Sequence, residues 1–275
     1  MMKQEDLLCP ECNSYITLEA DFCDSCGYYL GREFLLITSS KIKNEQLINE
    51  KYSVLDDIES LVKDTHSNKK TFSSKPVNDI FLLEKYLKLA KNDSVPRVYD
   101  AFSIDKHDYI ILKLNKDKYG QDFRTIKEAY LEITDKEKLQ IVRDLAILYQ
   151  LFECENVSST LFDINNIYVD ENIIVHFKKL YIDKTKDISL QNLGLLFDEL
   201  VFPLNTQYEE YLKYEVGIII RDLIDGKINS IKELINMLDN ILEKPRVSIS
   251  HSASTDLGKK RKNNEDKNIE KRDPC

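Results

Sequence analysis

The stretch DINNIYVDENIIVHF, Asp163 to Phe177, holds two β-branched and aromatic runs, Ile167-Tyr168-Val169 and Ile173-Ile174-Val175, on either side of Asp170-Glu171-Asn172. Two such runs around a polar turn read as a β-hairpin. Its surroundings read as helix. Upstream, Lys136 to Glu153 gathers Leu139, Val142, Leu145, Ala146 and Leu148 to Leu151 into one stripe; downstream, Leu190 to Phe202, Gln207 to Asp225 and Ser230 to Glu243 are three amphipathic segments. Farther towards the amino terminus, Arg97 to Ser103 and Asp108 to Leu114 form a second hairpin pattern across the charged turn Ile104 to His107. A helix over Asp79 to Asn92 precedes it, with Ile80, Leu83, Tyr86, Leu87 and Ala90 spaced to face a core, and the polar run Lys63 to Lys75 reads as a loop. Strands with one helix, followed by helices enclosing a small hairpin, predict an α+β domain in two lobes over residues 31–245.

This order of elements resembles a protein kinase. VPRVYDAFSIDKHDYIILKL resembles the strands leading to a kinase hinge, and the Lys136 to Glu153 helix resembles the long helix before its catalytic loop. DINNIYVDENIIVHF resembles the loop that carries the metal-binding asparagine. The residues that phosphoryl transfer needs can be checked singly. Nothing like GxGxxG lies between Gly31 and Lys70. With Asn166 at the loop asparagine, the catalytic-base position five residues earlier is Leu161, which cannot accept a proton. No DFG triplet occurs, and Asp183, the nearest candidate for a magnesium ligand, is followed by Lys184-Thr185. The resemblance therefore implies a pseudokinase, the alternative being a helix-rich α+β scaffold of other ancestry.

Ahead of this region, Cys9, Cys12, Cys23 and Cys26 make a C-x2-C-x10-C-x2-C pattern, in which each pair can form a knuckle that aims two thiolates at one ion. Pro10 stiffens the first knuckle, and Gly27 follows the second where a positive φ is needed. Tyr15 to Leu18 reads as a short strand, with Phe22 and Tyr28-Tyr29 available to cover the metal. The spacing predicts structural zinc rather than two disulfides, which need an oxidising compartment. Residues 1–30 resemble a zinc ribbon: four thiolates leave no open coordination position, so the ion should stabilise and not catalyse. Cys154 and Cys275 stand alone, and Cys154, within LYQLFECE, reads as buried filler and not as a nucleophile.

The run TDLGKKRKNNED, Thr255 to Asp266, resembles the opening of the metal-dependent protein phosphatases of type 2C, whose first strands carry T-D-x-G-x-x-R-x-x-N-E-D. Thr255, Asp256, Gly258, Arg261, Asn264, Glu265 and Asp266 match. The resemblance implies that Arg261 binds a substrate phosphate and that Glu265 and Asp266 help hold a pair of manganese or magnesium ions. The site is incomplete, because the D-G-x-G-G run that supplies a further acid is missing and the one Asp-Gly pair, Asp225-Gly226, lies upstream. Residues 246–275 are thus expected to be the start of a catalytic domain that the chain lacks, disordered for want of its sheet, after an abrupt KRDPC end that fits a shortened gene.

Charge and composition narrow the partners. Hydrophobic residues are 42% and glycines only 7, which excludes fibrous and glycine-loop-rich classes. The net charge is -9, but residues 246–275 carry a local +3, so the preceding body carries about -12 and repels a phosphate backbone. The ribbon segment holds a single lysine amid a surplus of Asp and Glu, so nucleic acid is not the expected partner. The start MMKQEDLLCPEC lacks a signal-peptide pattern, and apolar runs such as Val216 to Ile220 are too short to span a membrane, which predicts a cytoplasmic protein. The functional expectation is the regulatory or sensory region of a serine/threonine protein phosphatase of type 2C, responding to a protein partner or signalling ligand and inactive alone. The alternative is a cytoplasmic zinc-ribbon adaptor that docks a protein, with the tail as a basic arm; an active kinase is disfavoured by Leu161 and the absent glycine loop.

Overall fold

A computed structural model describes residues 8–9, 11–17, 20–65, 80–184, 188–201, 210–243, 247–256 and 265–274. The architecture is mixed α and β with a cysteine cluster near the amino terminus. The first lobe contains β1 (Glu33–Thr38), β2 (Leu47–Ile48), β3 (Tyr52–Asp56), β4 (Leu61–Asp64), α1 (Ile80–Leu89), β5 (Val98–Ile104) and β6 (His107–Lys113). Its six strands form one antiparallel sheet in the order β2-β3-β4-β1-β6-β5. Two tight turns are made by residues with positive φ, Asn49-Glu50 between β2 and β3 and Asp105-Lys106 between β5 and β6. Such a pair matches the twist of the flanking strands.

Side chains alternate across this sheet as the period of two requires. Phe34, Leu36, Tyr52, Val54, Val62, Phe102, Tyr109 and Ile111 form one buried cluster, while Leu35, Ile110 and Leu112 point the other way into a core shared with α1 and the second lobe. The sheet is strongly curled. In flat order β3 and β5 lie four strand spacings apart, about 19 Å, yet the Tyr52 hydroxyl of β3 donates to Asp100 of β5 at 2.7 Å and the Tyr52 and Phe102 rings stack at 5.9 Å.

The second lobe runs through β7 (Arg124–Thr125), α2 (Ile126–Glu132), α3 (Asp135–Glu155), two 3-10 turns (Ser158–Phe162 and Ile164–Asn166), β8 (Ile167–Val169), β9 (Val175–Phe177), α4 (Leu190–Val201), α5 (Glu210–Ile224) and α6 (Ile231–Glu243). Strands β7, β8 and β9 make a small antiparallel sheet. Thr125 with Glu128 opens α2, and Thr134 with Glu137 opens α3, each as a reciprocal capping box that satisfies orphan amides of the first turn. α3 buries Leu139, Val142, Leu145, Ala146, Tyr149 and Phe152, and its Arg143 is held by Asp239 of α6. The lobes are fastened by Tyr86 of α1, whose hydroxyl accepts the Leu180 amide at 2.8 Å, and by the Phe177 amide on the Ser94 carbonyl at 2.8 Å.

Three expectations change. The buried face of α1 is Tyr86 and Leu89, with Leu82 and Leu83 packed beside them, while Leu87 and Ala90 are exposed. Seven of the ten residues are apolar, and contacts with the second lobe, Tyr86 to Leu180 and the buried Lys85 to Glu155, decide which side turns inward. Lys63 and Asp64 belong to β4 instead of a loop; residues 66–75 of that run lie outside the described residues. Cys154 is exposed, since it falls two positions past Phe152 and off the buried stripe of α3. The tail contains β10 (Val247–Asp256) and β11 (Glu265–Pro274), paired antiparallel over ten positions. Among the described residues, no helix is long and apolar enough to cross a membrane.

Candidate metal centre

Two knuckles of near-identical backbone build the cysteine cluster. In the first, the Asn13 amide donates to the Cys9 carbonyl at 2.9 Å; in the second, the Gly27 amide donates to the Cys23 carbonyl at 2.8 Å. The residue directly after the second cysteine of each pair turns the chain with positive φ, Asn13 at 57° and Gly27 at 74°. Glycine and asparagine are the residues that tolerate this conformation. Single bridges, Leu8 with Tyr15 and Phe22 with Tyr29, close the two knuckles.

The sulfur geometry fits one ion. Cys9 Sγ lies 3.7 Å from Cys26 Sγ and Cys12 Sγ 3.6 Å from Cys23 Sγ, and all four lie within 4.8 Å of one another. A tetrahedral ion with sulfur bonds of about 2.3 Å places its ligands about 3.8 Å apart. The close pairs join one knuckle to the other, and none is bonded as a disulfide. Hydrogen bonds from the side chain and amide of Ser14 hold the Cys12 thiol down at about 6. Cys26 is lowered by the Tyr28 amide, but desolvation and the neighbouring thiols of Cys12, Cys23 and Cys9 outweigh this and push it up to about 12. A cation at the centre would favour the thiolate at all four.

This module has almost no core of its own. Among the described residues between 8 and 30, Cys9 and Cys23 are the only buried side chains, at 0% and 2% exposure. Bonds from the four sulfurs to an ion would supply what apolar burial does not, since a fold of this size lacks the core to offset its chain entropy. The remainder of its support is external. Phe22 and Tyr29 pack tilted at 5.4 Å and rest against Gly120, the Tyr29 amide donates to the Lys118 carbonyl at 2.7 Å, and Lys63 reaches Asp21 at 2.6 Å. Phe22 and Tyr29 thus dock the module on the body, where they were expected to cover the metal. Of the expected strand Tyr15 to Leu18, the described residues retain one bridge at Tyr15; Pro10 and Leu18 lie outside the described residues. Gly120, at φ 82°, and Lys118 gave no signal in the sequence, because their role depends on a module ninety residues away in the chain.

Leu161, Asn166 and Asp183 are brought into one neighbourhood and spent on structure. Leu161 is fully buried. The Asn166 side chain donates to the carbonyls of Thr160 and Lys179 and accepts the Lys179 amide, all between 2.9 and 3.1 Å. It clamps two loops. Asp183 accepts the amides of Ser158 and Ser159 at 3.0 and 2.7 Å, capping the first 3-10 turn. Asp225-Gly226 ends α5 at a left-handed turn, far in sequence from the tail acids. Arg261, Gly258, Asn264 and Cys275 lie outside the described residues. Glu265 and Asp266 open β11, opposite Asp256 and Thr255 of β10. No protein-family model matches this chain, and no curated protein matches it.

Proposed function

We propose that the chain is a non-catalytic regulatory module of a type 2C serine/threonine protein phosphatase, built as a structural zinc ribbon docked on a two-lobed, pseudokinase-like body. The observation that carries the non-catalytic reading is the use of polar groups around residues 158–183. Asn166 and Asp183, the positions at which a kinase-like site would hold magnesium, spend their hydrogen-bonding atoms on backbone, and Leu161 is core. Zinc is the ion that the four-thiolate set favours, and a closed site of this kind has a folding role. The phosphatase assignment rests on Thr255 to Asp266, and is supported by the register that sets Asp256 opposite Glu265 and Thr255 opposite Asp266. Arg261, Glu265 and Asp266 supply part of a phosphate and manganese or magnesium site, so hydrolysis needs acids that this chain does not provide.

The test has two arms. Purified zinc-loaded protein should turn over neither ATP with magnesium nor a phosphoester with manganese; turnover lost on Asp183→Ala or Asp266→Ala defeats the non-catalytic reading. Placing the module ahead of a type 2C catalytic domain should then change that domain's rate several-fold, and an unchanged rate defeats the phosphatase reading. One observation favours an adaptor instead: Leu8 and Tyr15, bridged on the ribbon, are 49% and 73% exposed, an apolar pair a protein partner could cover.

A further inference from the structure

The docked ribbon closes a cavity of about 630 Å³ between itself, the start of β1 and the chain leaving β6, a volume in the range of small-ligand sites. Tyr28, Tyr29 and Tyr99 line it together with Arg32, Lys113 and Lys118. Its walls are fixed. The Tyr99 ring stacks on Phe34 at 4.1 Å and its hydroxyl donates to Asp64 at 3.0 Å, while the Tyr29 amide is held by Lys118.

The charge in this cavity is unbalanced in a telling way. Each of its three carboxylates is already engaged: Glu33 with Lys116 at 2.9 Å, Asp64 with Lys51 and Tyr99, and Asp117 with the amides of Tyr119 and Gln121. Among the described residues, no carboxylate pairs with Arg32, Lys113 or Lys118. Arg32 spends one donor on the Thr17 carbonyl and Lys118 lies over the Tyr119 ring, leaving donors to spare. Three cations with no carboxylate partner among the described residues, on a body of about -12, mark a place where an anion is wanted. The Tyr29 ring is taken up by Phe22, Gly120 and Lys116, and Tyr28 and Tyr99 supply ring surface beside the cations, which suits an aromatic group.

We infer that this cavity binds a small anionic ligand carrying an aromatic ring, of the aryl phosphate or aryl carboxylate class. The ring lies against Tyr28 and Tyr99 and the anion meets Arg32, Lys113 and Lys118. The inference rests on the regulatory reading only in that the ligand is sensed and not converted.

Phenyl phosphate titrated into the full zinc-loaded chain, followed by calorimetry and by NMR, tests it. Saturable one-to-one binding is expected, with inorganic phosphate at least about tenfold weaker and benzylamine silent. Lys113→Gln and Lys118→Gln should each weaken binding about two- to five-fold, the scale of one partly exposed charge pair. Lys127→Gln, outside the cavity, should leave it unchanged. Absence of saturable binding, equal affinity for phosphate and phenyl phosphate, or affinity indifferent to both cavity lysines overturns the inference. Release of phenol from the probe defeats the non-catalytic reading instead and leaves the site standing.

Discussion

Replacing Gly120 by alanine should release the ribbon from the body without unfolding the body. A Cβ there meets the Tyr29 ring at 3.0 and 3.1 Å and the Phe22 ring at 3.1 Å, closer than carbon atoms settle, at a φ of 82°. The left-handed backbone costs a side chain about 1–2 kcal/mol, and the contact adds about 1–3 kcal/mol if the rings cannot yield. Gly31 separates the two contributions. Its φ is 66°, and the nearest atom to a Cβ is the Tyr29 ring at 4.0 Å, so Gly31→Ala pays the backbone cost alone. Undocking relieves the contact, at the loss of the Tyr29 amide bond to Lys118 and the Lys63–Asp21 pair, each worth on the order of 1 kcal/mol. The two sides are comparable, so the ribbon in Gly120→Ala should open far more often. Hydrogen exchange reads this directly: the Tyr29 amide should exchange about 5- to 150-fold faster in Gly120→Ala than in Gly31→Ala, the equivalent of 1–3 kcal/mol. Amides of α3 should be unaffected, and metal content unchanged. Equal exchange at Tyr29 in the two variants would refute the docking geometry.

Three further outcomes are expected. Asn166→Asp keeps the shape but removes both donors to Thr160 and Lys179, and should destabilise by about 3 kcal/mol in urea unfolding; a gain in magnesium affinity in its place would return Asn166 to a ligand role. Glu128 and Glu137 are held below their ordinary value of 4.5 by the hydroxyls and then the amides of Thr125 and Thr134. A depressed carboxyl stabilises above its unfolded value, and that contribution fades as pH falls below 4.5. Thr125→Ala with Thr134→Ala should therefore lower the urea midpoint at pH 7 and leave a smaller further drop on going to pH 3 than the parent shows. Zinc analysis should return one ion per chain, and chelation should strip protection from residues 8–30 while α3 stays protected, because the buried ribbon side chains are the ligands Cys9 and Cys23. A metal-free chain with an ordered ribbon would contradict the ion's structural role.

What could be read in advance was local in its physics. The cysteine spacing fixes four sulfurs on two short turns, and the structure gathers Cys9, Cys12, Cys23 and Cys26 within 4.8 Å. The stripes of α3, α4 and α6 and the hairpins β5–β6 and β8–β9 also follow from side-chain period and turn chemistry over a few residues. By contrast, β1 to β4 were not recognised. Their strands are short, and the Asn49-Glu50 turn lacks the glycine that usually marks such a reversal. α1 occupies the expected stretch but turns another face inward, because a helix with seven apolar residues in ten leaves the choice to its neighbours, here Leu180 and Glu155.

The sequence alone determined which four cysteines could hold an ion and where five of the helices lie, though not the short α2, and that Leu161 cannot be a base. Only the tertiary structure decided that Asn166 and Asp183 are clamps, that Phe22 and Tyr29 grip Gly120, and that three cations share a cavity with three tyrosines. Ligand spacing and amphipathic period are written within one turn or one helix. Whether a polar atom is free or spent, and whether a charge is matched, depends on partners tens of residues away that only the folded chain brings within bonding distance.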